Sequence, residues 1–248
     1  MSLLKNIFRK KDKRVDFDLS FLKTDIHSHL IPTIDDGSKS VEDSIILAKG
    51  LSDLGYKKAI TTPHIMSDYY RNTPEIIRNG LAQIEKPILT AGNNLQIDIG
   101  AEYYIDYDFI KKIGKEELLT FGDNYVLVEF SFVEPPRGIK EAFFELQING
   151  YKPVLAHPER YVYWHSNPDI LYELKNHDVI FQLNLLSLIG YYGKGSEKLG
   201  ETLIKNSMVE LLGTDLHNQH QLQLLKEYKL KENIAELILK SNFINQIL

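Results

Sequence analysis

The segment TDIHSHLIPTIDDGS, residues 24–38, places two histidines one residue apart and two adjacent aspartates a short loop later. In an extended strand, side chains two positions apart point to the same face, so His27 and His29 can reach one ion. Imidazole and carboxylate groups are common ligands of zinc, iron and manganese. The pattern therefore predicts the beginning of a metal site, with Asp36 as a further candidate ligand.

Later histidines and carboxylates occupy the same kind of position, at or just after the end of a short apolar run: His64, Glu102, Glu129, His157, Asp215 and His217. We predict that each run is a β-strand. In a parallel α/β barrel the carboxyl ends of the strands converge on one face, so these side chains can meet in one pocket. The histidines outside this pattern we interpret as surface or structural residues: His165, His177 and His220.

Any one of these candidates could instead be a helix cap or an ion-pair partner. The whole set is harder to explain in that way, because so many ionisable groups among apolar neighbours would be costly to bury without counter-ions. Nine candidate ligands are too many for one ion and suit two or three. We therefore predict a multinuclear metal site.

The elements that must position these residues alternate between apolar runs and helical patterns. We predict strands at residues 24–27, 58–62, 96–101, 125–130, 153–156, 179–183 and 208–212, and helices at 40–54, 74–84, 139–148, 169–175, 197–206 and 221–248. Repeated strand-then-helix units predict a parallel sheet with helical crossovers. No Gly-rich loop follows the first strand, which favours a closed or nearly closed barrel over a dinucleotide-binding sheet.

Composition narrows the class of protein. The chain has 248 residues, enough for one large α/β domain, and we predict a single domain over residues 23–248. The absence of cysteine excludes disulfides, thiolate zinc ligands and a cysteine nucleophile. A net charge of −5 gives no broad basic field, so we expect no nucleic-acid partner.

The first residues are basic and lack the features of a signal peptide. We predict that residues 1–22 form a solvated, partly disordered leader of a cytoplasmic protein. The alternative is a short amphipathic segment, with apolar positions at Leu3, Leu4, Ile7 and Phe8, that makes at most peripheral contact with an anionic membrane. We see no apolar run long enough to span a membrane.

The motifs DIHSHLIPTIDDGS, TTPH, GAEYYID, LVEFSF, LAHPERY and GTDLHN, in this order and spacing, resemble the polymerase-and-histidinol-phosphatase (PHP) superfamily. More closely, they resemble its bacterial metal-dependent protein-tyrosine phosphatases from capsular and exopolysaccharide operons. The likeness runs from about Asp25 to His217. It implies an α/β fold, a distorted (β/α)7 TIM-like barrel, with three divalent metal ions. Manganese is the metal that the resemblance favours, and the residues would also accept iron or zinc.

The resemblance also implies how the ligands are shared among the ions. The first ion would be held by His27, His29, Glu102 and Asp215. The second would be held by Glu102, Glu129 and His157, with Glu102 bridging the two ions. The third would be held by Asp36, His64 and His217.

These residues suggest a mechanism of phosphoester hydrolysis. A water that bridges two metal ions has a lowered pKa, and the resulting hydroxide could attack phosphorus. Arg160, three residues after His157, is our candidate to hold the phosphoryl oxygens, and Arg137 is a second candidate. A surface salt bridge for Arg160 and a plain loop position for Arg137 are the alternatives. Asp36 or His64 could help to protonate the leaving group.

Tyrosines next to the candidate ligands could form an aromatic rim for a phosphotyrosine ring, or could simply pack between loops: Tyr103, Tyr104, Tyr161 and Tyr163. The resemblance implies that the partner is the phosphotyrosine tail of a membrane-bound bacterial tyrosine kinase that controls polysaccharide export. The oligomeric state stays open.

Three other functions compete with this one. A small-molecule phosphomonoesterase, such as a histidinol phosphatase, would use the same chemistry on another substrate. A nucleic-acid phosphodiesterase is disfavoured by the acidic net charge. A non-catalytic metal scaffold is disfavoured by the filled ligand set.

Overall fold

The computed structural model describes residues 13–248. Its strands are β1 (Arg14–Asp16), β2 (Thr24–Ser28), β3 (Lys58–Thr61), β4 (His64–Ile65), β5 (Gln96–Ile99), β6 (Glu102–Tyr104), β7 (Tyr125–Glu129), β8 (Lys152–Ala156), β9 (Ile180–Asn184), β10 (Leu211–Gly213) and β11 (Lys229–Lys231). Its α-helices are α1 (Val41–Asp53), α2 (Pro74–Thr90), α3 (Tyr107–Lys112), α4 (Ile139–Ile148), α5 (Asp169–Asn176), α6 (Lys194–Lys205), α7 (Gln219–Lys226) and α8 (Glu232–Lys240).

Parallel strands form the wall of a barrel. One sheet has the order β2-β3-β5 and the other the order β10-β9-β8-β7-β6-β4. The strand β3–β4 is interrupted at residues 62–63, and β5–β6 is interrupted at residues 100–101, so each pair is one bent strand that runs through both sheets. Within residues 13–248 the wall therefore has seven parallel strands, each followed by a helix from α1 to α7.

The wall closes between its first and last strands. The amide of Asp215 donates to the carbonyl of His27 at 2.8 Å, and the amide of His29 donates to the carbonyl of Leu216 at 2.9 Å. This closure confirms the predicted distorted (β/α)7 barrel. The distortion lies at the two bent strands and at this short seam.

Apolar side chains fill both faces of the wall. Inside the barrel a small cluster includes Ile26, Leu127, Val154 and Leu211, and the helices pack on the outside over a much larger core. Burial on both sides explains why these strands are almost continuously apolar. Capping side chains fix where several helices begin, as where Ser40 accepts a hydrogen bond from the amide of Asp43.

The predicted helix over residues 221–248 is wrong. That segment contains the end of α7, then β11, then α8, then a short 3-10 helix at Ile244–Ile247. The strand β11 interrupts the helical pattern because it pairs in antiparallel fashion with β1, with Val15 opposite Leu230. A pairing partner more than 200 residues away in the chain leaves no local signal.

Residues 14–22, which we predict from sequence to lie in the basic leader, pack onto the barrel. After β1, the side chains of Phe17, Leu19 and Leu22 are buried in the main core. The packed body therefore begins no later than Arg14. The alternative amphipathic segment at Leu3–Phe8 lies outside the described residues. Among residues 13–248, none of the helices has the length and apolar character needed to cross a bilayer.

Candidate metal centre

The carboxyl ends of the barrel strands bring all nine predicted ligands together on one face. Two turns there use an uncommon backbone: His157, after β8, has φ of 36°, and Asp215, after β10, has φ of 51°. Residues other than glycine rarely adopt this left-handed conformation, which costs on the order of 1 kcal/mol or more at each position. The two turns hold both side chains against the cluster.

The first group of donor atoms is fully enclosed and joins the two ends of the barrel wall. It consists of His27, His29, Glu102 and Asp215, whose ligand atoms lie within 4.8 Å of one another. Nε2 of His27 is 3.1 Å from Oε2 of Glu102 and 3.3 Å from Oδ1 of Asp215. Nε2 of His29 is 3.6 Å and 3.5 Å from the same two oxygens.

The second group shares Glu102 with the first. Nδ1 of His64 lies 3.2 Å from Oε2 of Glu102 and 3.1 Å from Oε1 of Glu129. On the other side, Nε2 of His157 lies 3.0 Å from Oε1 of Glu102 and 4.0 Å from Oε2 of Glu129. The two oxygens of Glu102 therefore face different neighbours, as a bridging carboxylate requires.

The third group lies at the mouth. It consists of His29, Asp36, His64 and His217. Oδ1 of Asp36 is 3.5 Å from Nε2 of His64 and 3.4 Å from Nε2 of His217. The Asp36 side chain is 53% exposed, whereas the side chains of the first group are at most 3% exposed. The cluster thus runs from the interior of the barrel to solvent.

The electrostatics of this cluster fit bound cations. Burial would raise the pKa of Glu102, but the imidazoles of His27 and His64 hold it well below its usual range. Burial would lower the pKa of His64, but Glu102 and Glu129 raise it to about 9. Without metal, protonated histidines balance the buried carboxylates, and divalent cations can replace these protons.

Buried ring nitrogens support the same interpretation. Nε2 of His29 and Nδ1 of His64 make no hydrogen bond within the described part of the chain, although both point at carboxylate oxygens. Burial and the nearby Arg160 lower the pKa of His157, so its ring is held in the neutral form that binds metal. The donor set therefore fits divalent ions bound by nitrogen and oxygen.

A family described as capsular polysaccharide synthesis, CpsB/CapC, matches residues 23–238. The chain belongs to this family. It is 33% identical over 236 residues to the tyrosine-protein phosphatase YwqE of Bacillus subtilis, covering 89% of this chain and 92% of that protein. It is 30% identical over 200 residues to the tyrosine-protein phosphatase CpsB of Streptococcus pneumoniae, covering 78% of this chain and 82% of that protein.

A solved structure extends the likeness to the fold. This crystal structure belongs to a study of YwqE from Bacillus subtilis and CpsB from Streptococcus pneumoniae, which are described there as metal-dependent tyrosine phosphatases. It superposes on this chain with a TM-score of 0.75. Sequence identity in this comparison is 30%, over 89% of this chain and 96% of the solved one. The fold of this CpsB/CapC family member is thus that of a known metal-dependent phosphatase.

The two predicted arginines lie in different places in this CpsB/CapC chain. Arg160 contacts the cluster: its Nη1 donates to Oδ2 of Asp215 at 2.6 Å, and its guanidinium carbon lies 4.0 Å and 4.7 Å from the ring centres of Tyr192 and Phe132. Arg137 is exposed on the loop before α4, and within residues 13–248 it makes no ion pair or hydrogen bond. The structure therefore brings Arg160, and not Arg137, to the candidate ligands.

Two residues beside the ligands were not predicted from sequence. Oε1 of Gln182 lies 2.9 Å from Nδ1 of His27, and Oδ2 of Asp35 lies 2.8 Å from Nδ1 of His29. Gln182 was detectable as a polar residue inside the apolar run of the one predicted strand without a ligand. Asp35 was detectable only as the neighbour of Asp36.

The predicted aromatic rim is not formed by Tyr103 and Tyr161. Both are buried, and their hydroxyls accept hydrogen bonds from the amides of Leu119 and Phe130 at 2.7 Å and 3.0 Å. Tyr163 is half-buried and donates to the carbonyl of Ser131 at 2.9 Å. These tyrosines follow candidate ligands in sequence but point into the loop packing.

Other rings border the cluster. The ring of Tyr70 stacks on His64 at 5.4 Å, and the ring of Phe132 stacks on His157 at 5.6 Å. Phe132 remains 39% exposed. Because His64 and His157 lie on opposite sides of Glu102, the two rings flank the cluster from opposite sides.

Proposed function

We propose that this chain is a metal-dependent protein-tyrosine phosphatase that hydrolyses phosphotyrosine at a trinuclear metal centre. One observation carries the proposal: three overlapping groups of histidine and carboxylate donors, two of which share Glu102, lie together and open at Asp36, in a chain whose CpsB/CapC relatives are named tyrosine-protein phosphatases. The clustered donors support such a centre, and the family supports the class of reaction.

The geometry supports one distribution of ligands among the ions. The first ion takes His27, His29, Glu102 and Asp215. The second takes Glu102, Glu129 and His157, and the third takes Asp36, His64 and His217. His64 also lies within 3.2 Å of Glu102 and Glu129, so it stands between the second and third positions. Manganese is our proposed metal because the family resemblance favours it; the oxygen and nitrogen donors would also accept iron or zinc.

When bound, the ions would lower the pKa of a coordinated water and offset the charge of the phosphoryl oxygens. Arg160 is the residue that we propose to bind those oxygens, because its planar guanidinium is already held against the cluster by Asp215 and two rings. Arg137 is exposed and has no such contact within residues 13–248, so we propose it only as the second candidate.

The two candidate proton donors differ. Partial burial would raise the pKa of Asp36, but the contact with His217 holds it well below its usual range, so Asp36 is ionised at neutral pH. The pKa of His64 is raised to about 9 in the metal-free protein by Glu102 and Glu129, which more than offset burial. As a metal ligand His64 would carry no such proton, so neither side chain is a ready donor to a phenolate leaving group in the loaded protein.

We also propose a biological setting for this activity. The family is that of capsular polysaccharide synthesis proteins. The substrate that fits a tyrosine phosphatase in this setting is the phosphotyrosine tail of a membrane-bound tyrosine kinase, reached from the cytoplasm. A flexible tail can enter the open mouth at Asp36 without unfolding of either partner.

Phosphate release from a phosphotyrosine peptide tests the proposal. Metal-stripped protein is titrated with manganese, beside His27→Ala and the matched control His177→Ala, whose exposed ring lies outside the cluster. We expect metal-dependent release that is lost in His27→Ala and retained in His177→Ala. Release of phosphate from histidinol phosphate alone, or of mononucleotides from single-stranded DNA alone, would contradict the proposal.

A further inference from the structure

A groove with a basic lining lies beside the metal centre. It has a volume of about 450 Å³ and runs between the loop after β4 and helix α3. Its charged residues are Arg71, Lys111, Lys112, Lys115, Asp108 and Glu116. Cations thus outnumber acids in this groove, although the chain as a whole carries a net charge of −5. We call it the basic groove.

The basic groove opens on the same face of the barrel as the metal centre. One wall starts at Ile65, directly after His64, and the other is built from α3, which begins shortly after β6. His64 and Glu102 are paired in register between β4 and β6. Both walls therefore begin a few residues beyond candidate ligands.

Hydrogen bonds fix the loop that separates the groove from the metal centre. The amide of Met66 donates to the carbonyl of Tyr70 at 2.8 Å, which closes the loop on itself. The side-chain amide of Asn72 donates to the carbonyls of His64 and Ile34 at 2.8 Å and 2.9 Å. The Tyr70 ring stacks on His64 while the next residue, Arg71, lines the groove. The loop thus sets a constant spacing between the two sites.

Most cationic groups of the groove are available to a ligand. Nε of Arg71 donates to the carbonyl of Ser67 at 2.9 Å, and its other guanidinium nitrogens have no acceptor in the described chain. Lys111 is 3.7 Å from Asp108 and lies over the Tyr107 ring. Within the described residues, neither Lys112 nor Lys115 forms an ion pair.

We propose that the basic groove binds a second anionic group of the same peptide whose phosphotyrosine occupies the metal centre. The proposal rests on the proposed function and names the substrate more narrowly, as a peptide with a carboxylate or a second phosphotyrosine a few residues from the first. An extended peptide advances about 3.3–3.6 Å per residue, so a short segment can span the loop from one site to the other. The arginine and lysines of the basic groove would bind either the carboxylate or the second phosphate of such a peptide.

Peptide kinetics test this inference with the manganese-loaded, full-length protein. Three peptides share a central phosphotyrosine and differ only in one residue a few positions away: glutamate, glutamine or a second phosphotyrosine. A small aryl phosphate that cannot reach the groove is the fourth substrate. The groove variant is Lys111→Gln/Lys112→Gln/Lys115→Gln. The matched control removes the same charge from exposed lysines elsewhere, Lys86→Gln/Lys198→Gln/Lys226→Gln.

We expect the wild-type protein to have a KM about fivefold lower for the glutamate peptide than for the glutamine peptide, and lower again for the doubly phosphorylated one. The groove variant should lose this preference while its kcat stays within about twofold. Its KM for the aryl phosphate should stay unchanged, and Arg71→Gln should reproduce part of the loss. High salt should remove the preference, because exposed charges are screened.

Three results would overturn the inference. One is equal KM values of the wild-type protein for the glutamate and glutamine peptides. Another is equal loss of preference in the groove and control variants. A third is binding of phosphatidylglycerol vesicles that the groove variant loses, without any peptide preference, which would assign the groove to a membrane surface.

Failure of the proposed function can be told apart from failure of this inference. If no tyrosine phosphate is hydrolysed, fluorescence anisotropy of a labelled, doubly phosphorylated peptide still tests the groove with metal-stripped, full-length protein. Weaker binding by the groove variant than by the control variant would support the groove. Equal binding would overturn it.

Discussion

Each buried histidine of the first donor group contacts a neighbouring polar side chain through Nδ1, the ring nitrogen that does not face Glu102 and Asp215. Nδ1 of His27 is within hydrogen-bond distance of Oε1 of Gln182, and Nδ1 of His29 is within hydrogen-bond distance of Oδ2 of Asp35. A hydrogen bond from Nδ1 leaves the Nε2 lone pair free to bind an ion and fixes the ring orientation. Gln182 and Asp35 thus hold these two candidate ligands in place without a bound ion or substrate.

Replacement of Gln182 by leucine tests this positioning. We expect Gln182→Leu to weaken manganese binding about 10- to 100-fold, because His27 loses the acceptor that sets its tautomer. Isothermal titration of the metal-stripped protein measures the affinity, and circular dichroism checks the fold. Saturating manganese should restore most of kcat. Unchanged metal affinity would show that Gln182 does not position His27.

The exposed ring of Phe132 leads to a prediction about substrate choice. Its position beside His157 and Arg160 suits contact with the aryl group of phosphotyrosine. We expect Phe132→Ala to lower kcat/KM about 2- to 10-fold more for an aryl phosphate than for an alkyl phosphate. The neighbouring Val133→Ala, at a side chain that is 88% exposed, is the control. Equal losses on both substrates would contradict a role in recognising the aryl group.

At the scale of elements, β1 and the turn after it brace the barrel from outside. The strand β1 pairs with β11, and Phe17, Leu19 and Leu22 fill the core beneath it. Three buried apolar side chains of this size contribute several kcal/mol in total to the free energy of unfolding, at about 1.5–3 kcal/mol each. The segment therefore supports the fold although it carries no candidate ligand.

Truncation tests this contribution. A chain that begins at residue 23 should have a free energy of unfolding several kcal/mol lower than a chain that begins at residue 13, because the core loses Phe17, Leu19 and Leu22. Urea denaturation of the two chains measures the difference. Equal stability would show that residues 13–22 only rest on the surface.

The sequence allows prediction of the barrel, and of the candidate ligands that the barrel brings together, because both depend on local patterns. Apolar runs mark the strands, and candidate ligands such as His64 and Glu129 mark their ends. The bends in the second and third strands, and the pairing of β1 with β11, depend on contacts far apart in the chain. Gln182 was missed for the same reason, since only the folded barrel places it against His27. The directions of Tyr103 and Tyr161 also depend on packing that no local pattern records.

At the scale of the whole molecule, the candidate metal centre joins the first barrel strand to the last. His27 and His29 belong to one side of the seam, and Asp215 and His217 to the other. Bound ions would therefore tie the two sides together, and their binding free energy would add to the stability of the fold. Stability should depend on metal and on pH together.

Removal of metal should lower the melting temperature by an amount that grows with pH. In the stripped protein the pKa of His64 is raised to about 9, so its stabilising contribution is complete below about pH 6.5 and is lost as the pH rises through 9. His27 also has a raised pKa, because Glu102 and Asp215 outweigh burial. Metal-bound histidines are already deprotonated, so the loaded protein should not share this loss.

Differential scanning fluorimetry between pH 6.5 and 9, with manganese or with a chelator, measures this effect. The gap in melting temperature between loaded and stripped protein should widen steadily across the range. At manganese concentrations near 1,000 times Kd, the added stability is expected to be about 4 kcal/mol. A gap that is constant or that narrows with pH would contradict the proposed exchange of protons for ions.

The seam also sets the order in which the protein can become active during its synthesis. His27 and His29 leave the ribosome long before Asp215 and His217. The barrel wall cannot close until β10 has been synthesised and can lie beside β2. Until then the nascent chain has an incomplete set of candidate ligands and an unpaired sheet edge, and such a state is prone to aggregation. Catalysis therefore requires that translation has passed His217, and a chain released before that point would be inert.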